Sequence, residues 1–281
     1  MTEHAGWLIA AAAWVGAHAL ALFFLGLLLL LLAAALAWRL LRRWLVPHQA
    51  STLTPPVFLL TRVVVGFGLL VGGAWAFAEI AEALGGGPAL GQADQALADQ
   101  IGRHVPPGAI QAFALLTHLG DAVTLITLCI AVAALLVWRG RRWLALGWVL
   151  ALVGNGVLNP TLKQVFARAR PVHDAIYSAP GYSFPSGHSS GAVVAYGMLA
   201  YVLLRFVPQR WHLAVVLCAV ALAFTVACSR VFLRVHFASD VVAGLASGLA
   251  WLAVCVVSIE LTRQYRQRAS AGAAPIDQER P

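Results

Sequence analysis

Charged side chains are scarce in this chain of 281 residues: 19 are Lys or Arg and 11 are Asp or Glu, together 11%. Soluble domains carry about a quarter, so this deficit excludes an ordinary cytosolic protein. Cysteine is also rare, and its four positions all lie inside apolar stretches rather than in loops: Cys129, Cys218, Cys228 and Cys255. The sequence therefore offers no candidate for a disulfide framework or for a thiolate metal site.

Apolar residues, in contrast, make up 61% of the chain. They form seven segments long enough for the ~20 residues that a bilayer requires, near 15–38, 57–77, 119–138, 143–162, 189–206, 212–229 and 240–259. We predict an all-α, polytopic bundle of transmembrane helices in three parts. Residues 1–56 form an N-terminal membrane anchor helix and a cytoplasmic loop, 57–259 a six-helix membrane domain, and 260–281 a disordered cytoplasmic tail.

The basic residues predict the topology. The loops after the first, third and fifth segments and the C-terminal tail hold 12 of the 19, so this side is cytoplasmic and the N-terminus lies outside. Five of the six on the outer side crowd into 163–170 and 230–234. Positive charge at these two places predicts an anionic ligand. The net charge of +8 otherwise sets topology and meets anionic lipid, and it implies no nucleic-acid partner.

A first group of polar residues follows the fourth segment. Lys163 and Arg170 are seven residues apart, which on a helix places them within about 20° of one face, so we expect both to reach one site. Arg168 falls roughly 140° from Lys163 on the same helical wheel. We interpret Arg168 as an interfacial anchor or a lipid-headgroup contact.

A second group precedes the fifth segment. Pro185, Ser186 and Gly187 are typical of a helix start, and they leave free backbone N–H groups at the positive end of the helix dipole. This arrangement predicts a phosphate cradle. His188 follows in the first turn, at the rim of that cradle.

A third group joins the sixth and seventh segments. His236 and Asp240 are an i, i+4 pair, so the carboxylate can accept the imidazole N–H and fix which ring nitrogen stays unprotonated. A nitrogen held in this way is a nucleophile or a base. Arg230 can approach His236 only if the chain bends between them, and we predict that bend.

Other polar residues receive structural interpretations. Five histidines are expected to be ordinary polar residues in wet surroundings: His18, His48, His104, His118 and His212. We interpret Asp121 as a charge at a helix N-terminus. Gly244 and Gly248 are predicted to form a small-residue packing face.

The three groups together resemble the signature of the type 2 phosphatidic acid phosphatase superfamily, over roughly 57–259. The resemblance implies a six-helix membrane lipid phosphate phosphatase, related to vanadium haloperoxidases, with one extra N-terminal helix. It implies that His236 is a nucleophile forming a phosphohistidine, that Asp240 orients it, and that His188 is the general acid. The implied phosphate-binding residues are Lys163, Arg170 and Arg230, with the N–H groups of Ser186 and Gly187.

The resemblance and the residues lead to one hypothesis and two alternatives. We expect dephosphorylation of a lipid phosphate or lipid pyrophosphate, without a metal or cofactor, at the extracytoplasmic face of what we expect to be a bacterial inner membrane. Undecaprenyl pyrophosphate, phosphatidylglycerol phosphate and phosphatidic acid are all candidate substrates. Tyr177, Tyr182 and Phe184 are expected to line the mouth of the site. The alternatives are a lipid phosphotransferase that uses the same histidine and an anion transporter.

Overall fold

The computed structural model describes residues 2–45, 55–171 and 181–272. Every regular element in these ranges is helical, so the predicted all-α class is confirmed. The α-helices, in chain order, are α1 (Thr2–Ala17), α2 (Ala19–Leu45), α3 (Pro55–Gly85), α4 (Ala89–His104), α5 (Pro107–Leu116), α6 (Ala122–Trp138), α7 (Arg142–Phe166), α8 (Gly187–Leu203), α9 (His212–Phe232) and α10 (Ala238–Gly272).

Membrane-spanning length is reached by five helices of the described ranges, α2, α3, α7, α9 and α10. A sixth span is formed if α5 and its following 3₁₀ turn are taken together with α6, to which they are bent by 42°. Helix α8 has only 17 residues, but it packs against α7, α9 and α10 and most of its surface is buried. The chain is therefore a polytopic membrane protein whose bundle surrounds α8.

The N-terminal segment, predicted as one anchor, consists of two helices separated at His18. Helix α1 packs against α4, and a Cβ added at Gly16 would lie 2.5 Å from the Leu97 carbonyl oxygen. Helix α2 packs against α9 through Phe23, whose ring centroid lies 5.9 Å from that of Phe232. The N-terminal helices thus pack on the rest of the protein: α1 on α4, and α2 on α9.

The stretch between the second and third predicted segments is largely helical rather than a long loop. Helix α3 continues to Gly85, and α4 and α5 follow it. Helix α4 buries one face, formed by Ala93, Asp94, Ala98 and Ile101. This packing carries a carboxylate, Asp94, into the interior of the protein.

Close packing of α8 on α10 depends on glycine. A Cβ added at Gly244 would lie 2.5 Å from the Ser186 carbonyl oxygen, and one at Gly248 would lie 2.9 Å from the Ser190 Cα. The predicted packing face is therefore confirmed. It brings the N-terminal ends of α8 and α10 together, which is where the second and third polar groups lie.

The predicted disordered tail is wrong over much of its length. Helix α10 continues to Gly272, because the apolar pattern of the seventh segment passes into a polar run with good helix formers and no Pro or Gly before Gly272. The remaining predicted tail, 273–281, lies outside the described residues.

Candidate active site

The turn between α9 and α10 has the bend that the sequence predicted. Helix α9 ends at Phe232, and the Arg230 carbonyl accepts the backbone N–H groups of Val235 at 3.2 Å and His236 at 3.3 Å. Arg234 adopts the left-handed conformation, with φ of 53°. The chain therefore folds back, and His236 returns to the level of Arg230.

The ring of His236 is held in one tautomer by its neighbours. Arg170 Nη1 lies 3.2 Å from Nε2, and because a guanidinium can only donate, Nε2 carries the lone pair. The proton is then on Nδ1, which faces Asp240 Oδ2 at 3.4 Å and Ser183 Oγ at 3.4 Å. The predicted contact between His236 and Asp240 is present, and Nε2 is the ring nitrogen that carries the lone pair.

Burial also sets the charge of this ring. His236 is almost completely buried, and this burial lowers its pKa to about 4. Asp240 opposes the shift in pKa, whereas the positive charges of Arg170 and Arg230 reinforce it. At neutral pH the ring is therefore uncharged.

Lys163 and Arg170 converge as predicted, but by a different route. Lys163 Nζ donates to the Tyr182 carbonyl at 2.8 Å, and Arg170 Nη2 donates to the same oxygen at 3.2 Å. They do not share a helix face, because α7 ends at Phe166 and Ala167 follows with φ of 43°. The loop after the helix, rather than helical periodicity, brings the two cations together.

The interpretation of Arg168 as an interfacial anchor is wrong. Its Nη1 donates to Asp240 Oδ1 at 2.6 Å and to Ser239 Oγ at 2.7 Å, and its Nη2 donates to Asp94 Oδ2 at 2.8 Å. The side chain is only 13% exposed. The helical wheel misplaced it because the left-handed Ala167 turns the chain just before it.

Asp94 is a further residue that sequence reasoning missed. Its side chain is 5% exposed, and besides the ion pair with Arg168 it accepts the Ser239 backbone N–H at 3.2 Å and the Ser239 hydroxyl. A carboxylate on the apolar face of an amphipathic helix was the available signal. Asp94 fixes Arg168, and Arg168 fixes the carboxylate that contacts His236.

Ser183 also belongs to the support of His236. Its hydroxyl donates to Asp240 Oδ2, and its side chain is fully buried. The Phe237 backbone N–H donates to the same oxygen at 2.9 Å. Asp240 is therefore held from both sides, so its position relative to the ring of His236 is fixed.

The predicted phosphate cradle at the start of α8 is only partly correct. The Ser186 backbone N–H donates to the Asp240 carbonyl at 2.9 Å, so it is not free for a ligand. The Ser186 hydroxyl caps the helix by accepting from Ser189 N. The N–H groups of Gly187 and His188 have no acceptor within the described residues, and they remain available at the helix start.

His188 contacts a residue that had been given only a structural interpretation. Its Nε2 lies 2.8 Å from Asp121 Oδ1, and Asp121 Oδ2 lies 2.6 Å from His118 Nδ1. Asp121 occupies the N-cap position of α6, but its side chain makes no capping hydrogen bond. The carboxylate instead bridges two imidazoles, so Asp121 and His118 form part of the surroundings of the site.

Arg230 is the third predicted cation, and it is held from one side only. Its Nη1 donates to Thr117 Oγ1 at 2.8 Å. Among the described residues, the Nε of Arg230 is the one buried side-chain nitrogen or oxygen atom that has no hydrogen-bond partner. An unpaired buried N–H is costly, and an anion in the pocket would satisfy it.

The predicted mouth residues do not form one surface. Tyr182 is exposed, but Phe184 is fully buried and packs against Phe77 and Phe166, with centroids 5.4 Å and 5.1 Å away. Phe184 therefore stabilises the core rather than lining the mouth. Tyr177 lies outside the described residues.

Two cavities meet at His188. One, of about 760 Å³, has polar side chains in part of its wall, among them Thr117, Asp121, His188 and Arg230. The other, of about 1290 Å³, is an apolar groove between α6, α7 and α8, which we call the tail groove, and it extends to Trp138 at the far end of α6. The cavity beside Arg230 is therefore joined to the apolar tail groove at His188.

No group of three His, Cys, Asp or Glu side chains suited to a metal ion occurs within 2–45, 55–171 and 181–272. The charged groups around His236 are instead the side chains described above.

Comparisons with known proteins agree with this geometry. Phosphatidylglycerophosphatase B of Bacillus subtilis is 32% identical over 155 residues, which cover 54% of this chain and 76% of that protein. A lipid A 1-phosphatase of Rhizobium etli is 33% identical over 179 residues, covering 53% of this chain and 71% of that protein. An undecaprenyl-diphosphatase of Sulfolobus acidocaldarius is 32% identical over 136 residues, covering 46% and 62%.

A solved structure is also similar: the crystal structure of a transmembrane PAP2-type phosphatidylglycerolphosphate phosphatase from Bacillus subtilis. It has a TM-score of 0.65 and 29% identity, and the match covers 68% of this chain and 96% of that one. The model of the PAP2 superfamily matches residues 142–263, a range that contains all three groups of polar residues. The resemblance inferred from sequence is thus confirmed, and the chain belongs to the PAP2 superfamily.

Proposed function

We propose that this protein hydrolyses a lipid phosphate or lipid pyrophosphate through a phosphohistidine at His236. One observation carries the proposal: the buried Nε of Arg230 has no partner, at a site where Arg170 also faces the neutral ring of His236. A phosphoryl oxygen would satisfy that N–H. Membership of the superfamily and the phosphatase names of its relatives support a phosphate substrate.

The first step is an in-line displacement at phosphorus. The lone pair of His236 Nε2 forms the N–P bond while the bond from phosphorus to the leaving oxygen breaks. Arg170, Lys163 and Arg230, with the Gly187 N–H, would hold the three equatorial oxygens, where the charge of the transition state is spread. Asp240 keeps the remaining ring proton on Nδ1 and stabilises the charge that develops on the ring.

His188 would donate a proton to the leaving oxygen in this step. In the second step it takes a proton from water, the water oxygen attacks phosphorus, and the N–P bond breaks to release inorganic phosphate. Without a ligand, burial and the positive charge of Arg230 lower the pKa of His188 to about 4, and the contact with Asp121 acts in the opposite direction, towards the protonated ring. The negative charge of a bound phosphate would also favour the protonated ring of His188.

The tail groove supports a lipid as the substrate. It extends along α6 from Ala122 to Trp138, which is about 24 Å at 1.5 Å per residue and most of a ~30 Å hydrocarbon core. Its wall is predominantly apolar, and it reaches His188 at one end. A phosphate at the site could therefore keep its hydrocarbon chain in the groove.

We place the site at the extracytoplasmic face of the membrane. It lies where α7 and α9 end and where α8 and α10 begin. Most of the other arginines, among them Arg139, Arg205 and Arg263, lie towards the opposite helix ends, and this excess of positive charge supports a cytoplasmic location for that side. A substrate would then enter sideways from the outer leaflet.

Phosphate release from purified protein tests the proposal. A panel of lipid phosphates, assayed with excess chelator, should give inorganic phosphate without any acceptor other than water. His236→Asn should lower the rate by at least about 10³-fold, whereas His104→Asn, on exposed α4 surface, should not. Near-normal turnover by the His236 variant, or a chelator effect that metal reverses, would refute it. Phosphate release that requires an added acceptor would instead identify a phosphotransferase.

A further inference from the structure

An unpaired amide lies in the wall of the tail groove. Asn155, on α7, is 8% exposed and lines the groove. Within the part of the chain that the structure describes, its side chain makes no hydrogen bond. The amide nitrogen and oxygen of Asn155 are not among the fully enclosed side-chain atoms without a partner, so they are open to the groove, where a hydrogen-bonding group of the ligand can contact them.

Asn159, one turn further along α7, provides a comparison within the same helix. It is equally buried and lines the same groove, but its Nδ2 donates to the Pro185 carbonyl at 3.4 Å and to Ser190 Oγ at 3.3 Å. The protein satisfies Asn159 and leaves Asn155 open. The difference indicates that the hydrogen-bond partner of the Asn155 amide is a molecule bound in the groove.

The facing helix sets the level of each amide, and the Cδ1 of Leu125 lies beside Gly191, 2.9 Å from an added Cβ. A Cβ added at Gly191, on α8, would lie 3.9 Å from Asn155 Nδ2, whereas one at Gly187 would lie 2.9 Å from Asn159 Oδ1. Asn159 is therefore level with the free N–H of Gly187, and Asn155 is level with the next turn of α8. Four residues of helix separate the two amides by about 6 Å along the axis.

This depth matches one feature of a glycerolipid. In a diacylglycerol phosphate, five single bonds join phosphorus to the carbonyl carbon of the nearer acyl ester, roughly 6 Å when extended. Its carbonyl oxygen is a good acceptor for an amide N–H. A polyprenyl chain has no polar atom beyond its phosphates, and it would leave Asn155 unpaired.

We propose that Asn155 Nδ2 donates a hydrogen bond to an acyl ester carbonyl of the substrate, and so selects diacylglycerol phosphates over polyprenyl ones. This inference rests on the proposed function, because it assumes that the phosphate is bound between His188 and His236. It adds a residue that determines which lipid is accepted, away from the groups that react.

A matched pair of substrates tests the inference in the unaltered protein. Diacylglycerol phosphate and its dialkyl ether analogue have the same phosphate and chain lengths, but only the first has ester carbonyls. The expected kcat/KM for the ester is about five- to tenfold higher, as one buried hydrogen bond predicts. Equal values for the two lipids would overturn the inference. If neither lipid nor a polyprenyl phosphate released phosphate, the proposed function itself would fail.

Variants at Asn155 assign the preference to this residue. Asn155→Leu should lower the ester-to-ether ratio of kcat/KM to about one, and continued phosphate release from the ether lipid shows that the variant is folded. Asn155→Gln should restore part of the preference, and Ile130→Leu, a change of similar volume in the opposite wall, should retain all of it. An unchanged ester-to-ether ratio in Asn155→Leu would overturn the inference. So would a loss confined to polyprenyl pyrophosphate, which would place a second phosphate at Asn155.

Discussion

Arg168 and Asp240 form a buried ion pair, with 2.6 Å between Nη1 and Oδ1. The other oxygen of the same carboxylate faces the ring of His236. A cation on one oxygen thus fixes the carboxylate whose second oxygen orients the proposed nucleophile. Asp94, on α4, holds the same cation at 2.8 Å, so a helix outside the matched family range supports the site.

Arg168→Gln should impair both stability and catalysis. Removing the cation leaves two buried carboxylates without their partner, a change that costs about 3–5 kcal/mol, and Asp240 is released from its position. We expect at least a tenfold lower kcat and a lower thermal unfolding midpoint in detergent. Arg210→Gln removes the same charge from an exposed position and should change neither.

A double-mutant cycle then separates the support from a general effect of charge. Asp94→Asn alone should also lower kcat, but combined with Arg168→Gln it should add little, with a coupling energy of about 1–3 kcal/mol. Asp99→Asn, on the same helix, provides the matched control. Strict additivity of Asp94→Asn and Arg168→Gln would contradict the proposed chain of contacts.

Asp121→Asn should slow the step that needs a general acid. The carboxylate contacts His188 at 2.8 Å, and without it the protonated ring loses its nearest negative charge. We expect kcat to fall about 10- to 100-fold with a small change in KM. His118→Asn removes the other contact of Asp121 and should cost less than about threefold. Similar losses in both variants would mean that Asp121 acts through His118 instead.

The pH dependence of phosphoenzyme formation should reflect the shifted pKa of His236. Burial lowers this pKa to about 4, so the ring remains neutral as the pH falls through 6.5, the ordinary value. An unshifted histidine would be roughly nine-tenths protonated at pH 5.5 and would lose about tenfold in rate. Single-turnover rates from pH 8 to 5, corrected for substrate ionisation by phosphorus NMR, should show no such loss.

The same shift has a consequence for folding. The His236 ring takes up a proton near pH 6.5 in the unfolded chain but only near pH 4 in the folded protein. The free energy of unfolding therefore decreases as the pH falls from 6.5 to 4. A rate that falls with an apparent pKa of about 6.5, after the substrate correction, would contradict a buried neutral ring.

Gly244→Ala should disturb the site through packing alone. The added methyl group would lie 2.5 Å from the Ser186 carbonyl oxygen, one helical turn from Asp240, and would force α8 and α10 apart. We expect a loss of about 1–3 kcal/mol in stability and at least a tenfold lower kcat. Gly72→Ala, on α3, has nothing within 4 Å of the new atom and should be tolerated. Equal behaviour of the two variants would show that the contact can relax.

The sequence identified the candidate site residues better than the residues that hold them in place. His236, Asp240 and His188 could be singled out by residue type and spacing, although His236 lies in the turn between α9 and α10, just after the left-handed Arg234. Arg168 could not be placed, since one left-handed residue after α7 invalidates the helical wheel. The Ser186 N–H was expected to be free because no local pattern reveals that the Asp240 carbonyl accepts it.

Distance along the chain explains the remaining omissions. Asp94 meets Arg168 across 74 residues and Asp121 meets His188 across 67, so only tertiary packing brings them together. The fold followed a similar rule. Long apolar helices could be predicted from composition, whereas α4 and α5 could not, because a short amphipathic helix is stabilised by the surface on which it packs.

Trapping the phosphoenzyme tests the central claim most directly. A lipid substrate labelled with ³²P at the phosphate to be released, quenched during turnover, should leave label on the protein that is stable in base and lost in acid. Peptide mapping should place that label on His236, and His236→Asn should abolish it while His104→Asn leaves it unchanged. Label on any other residue, or rapid turnover of His236→Asn, would contradict the account.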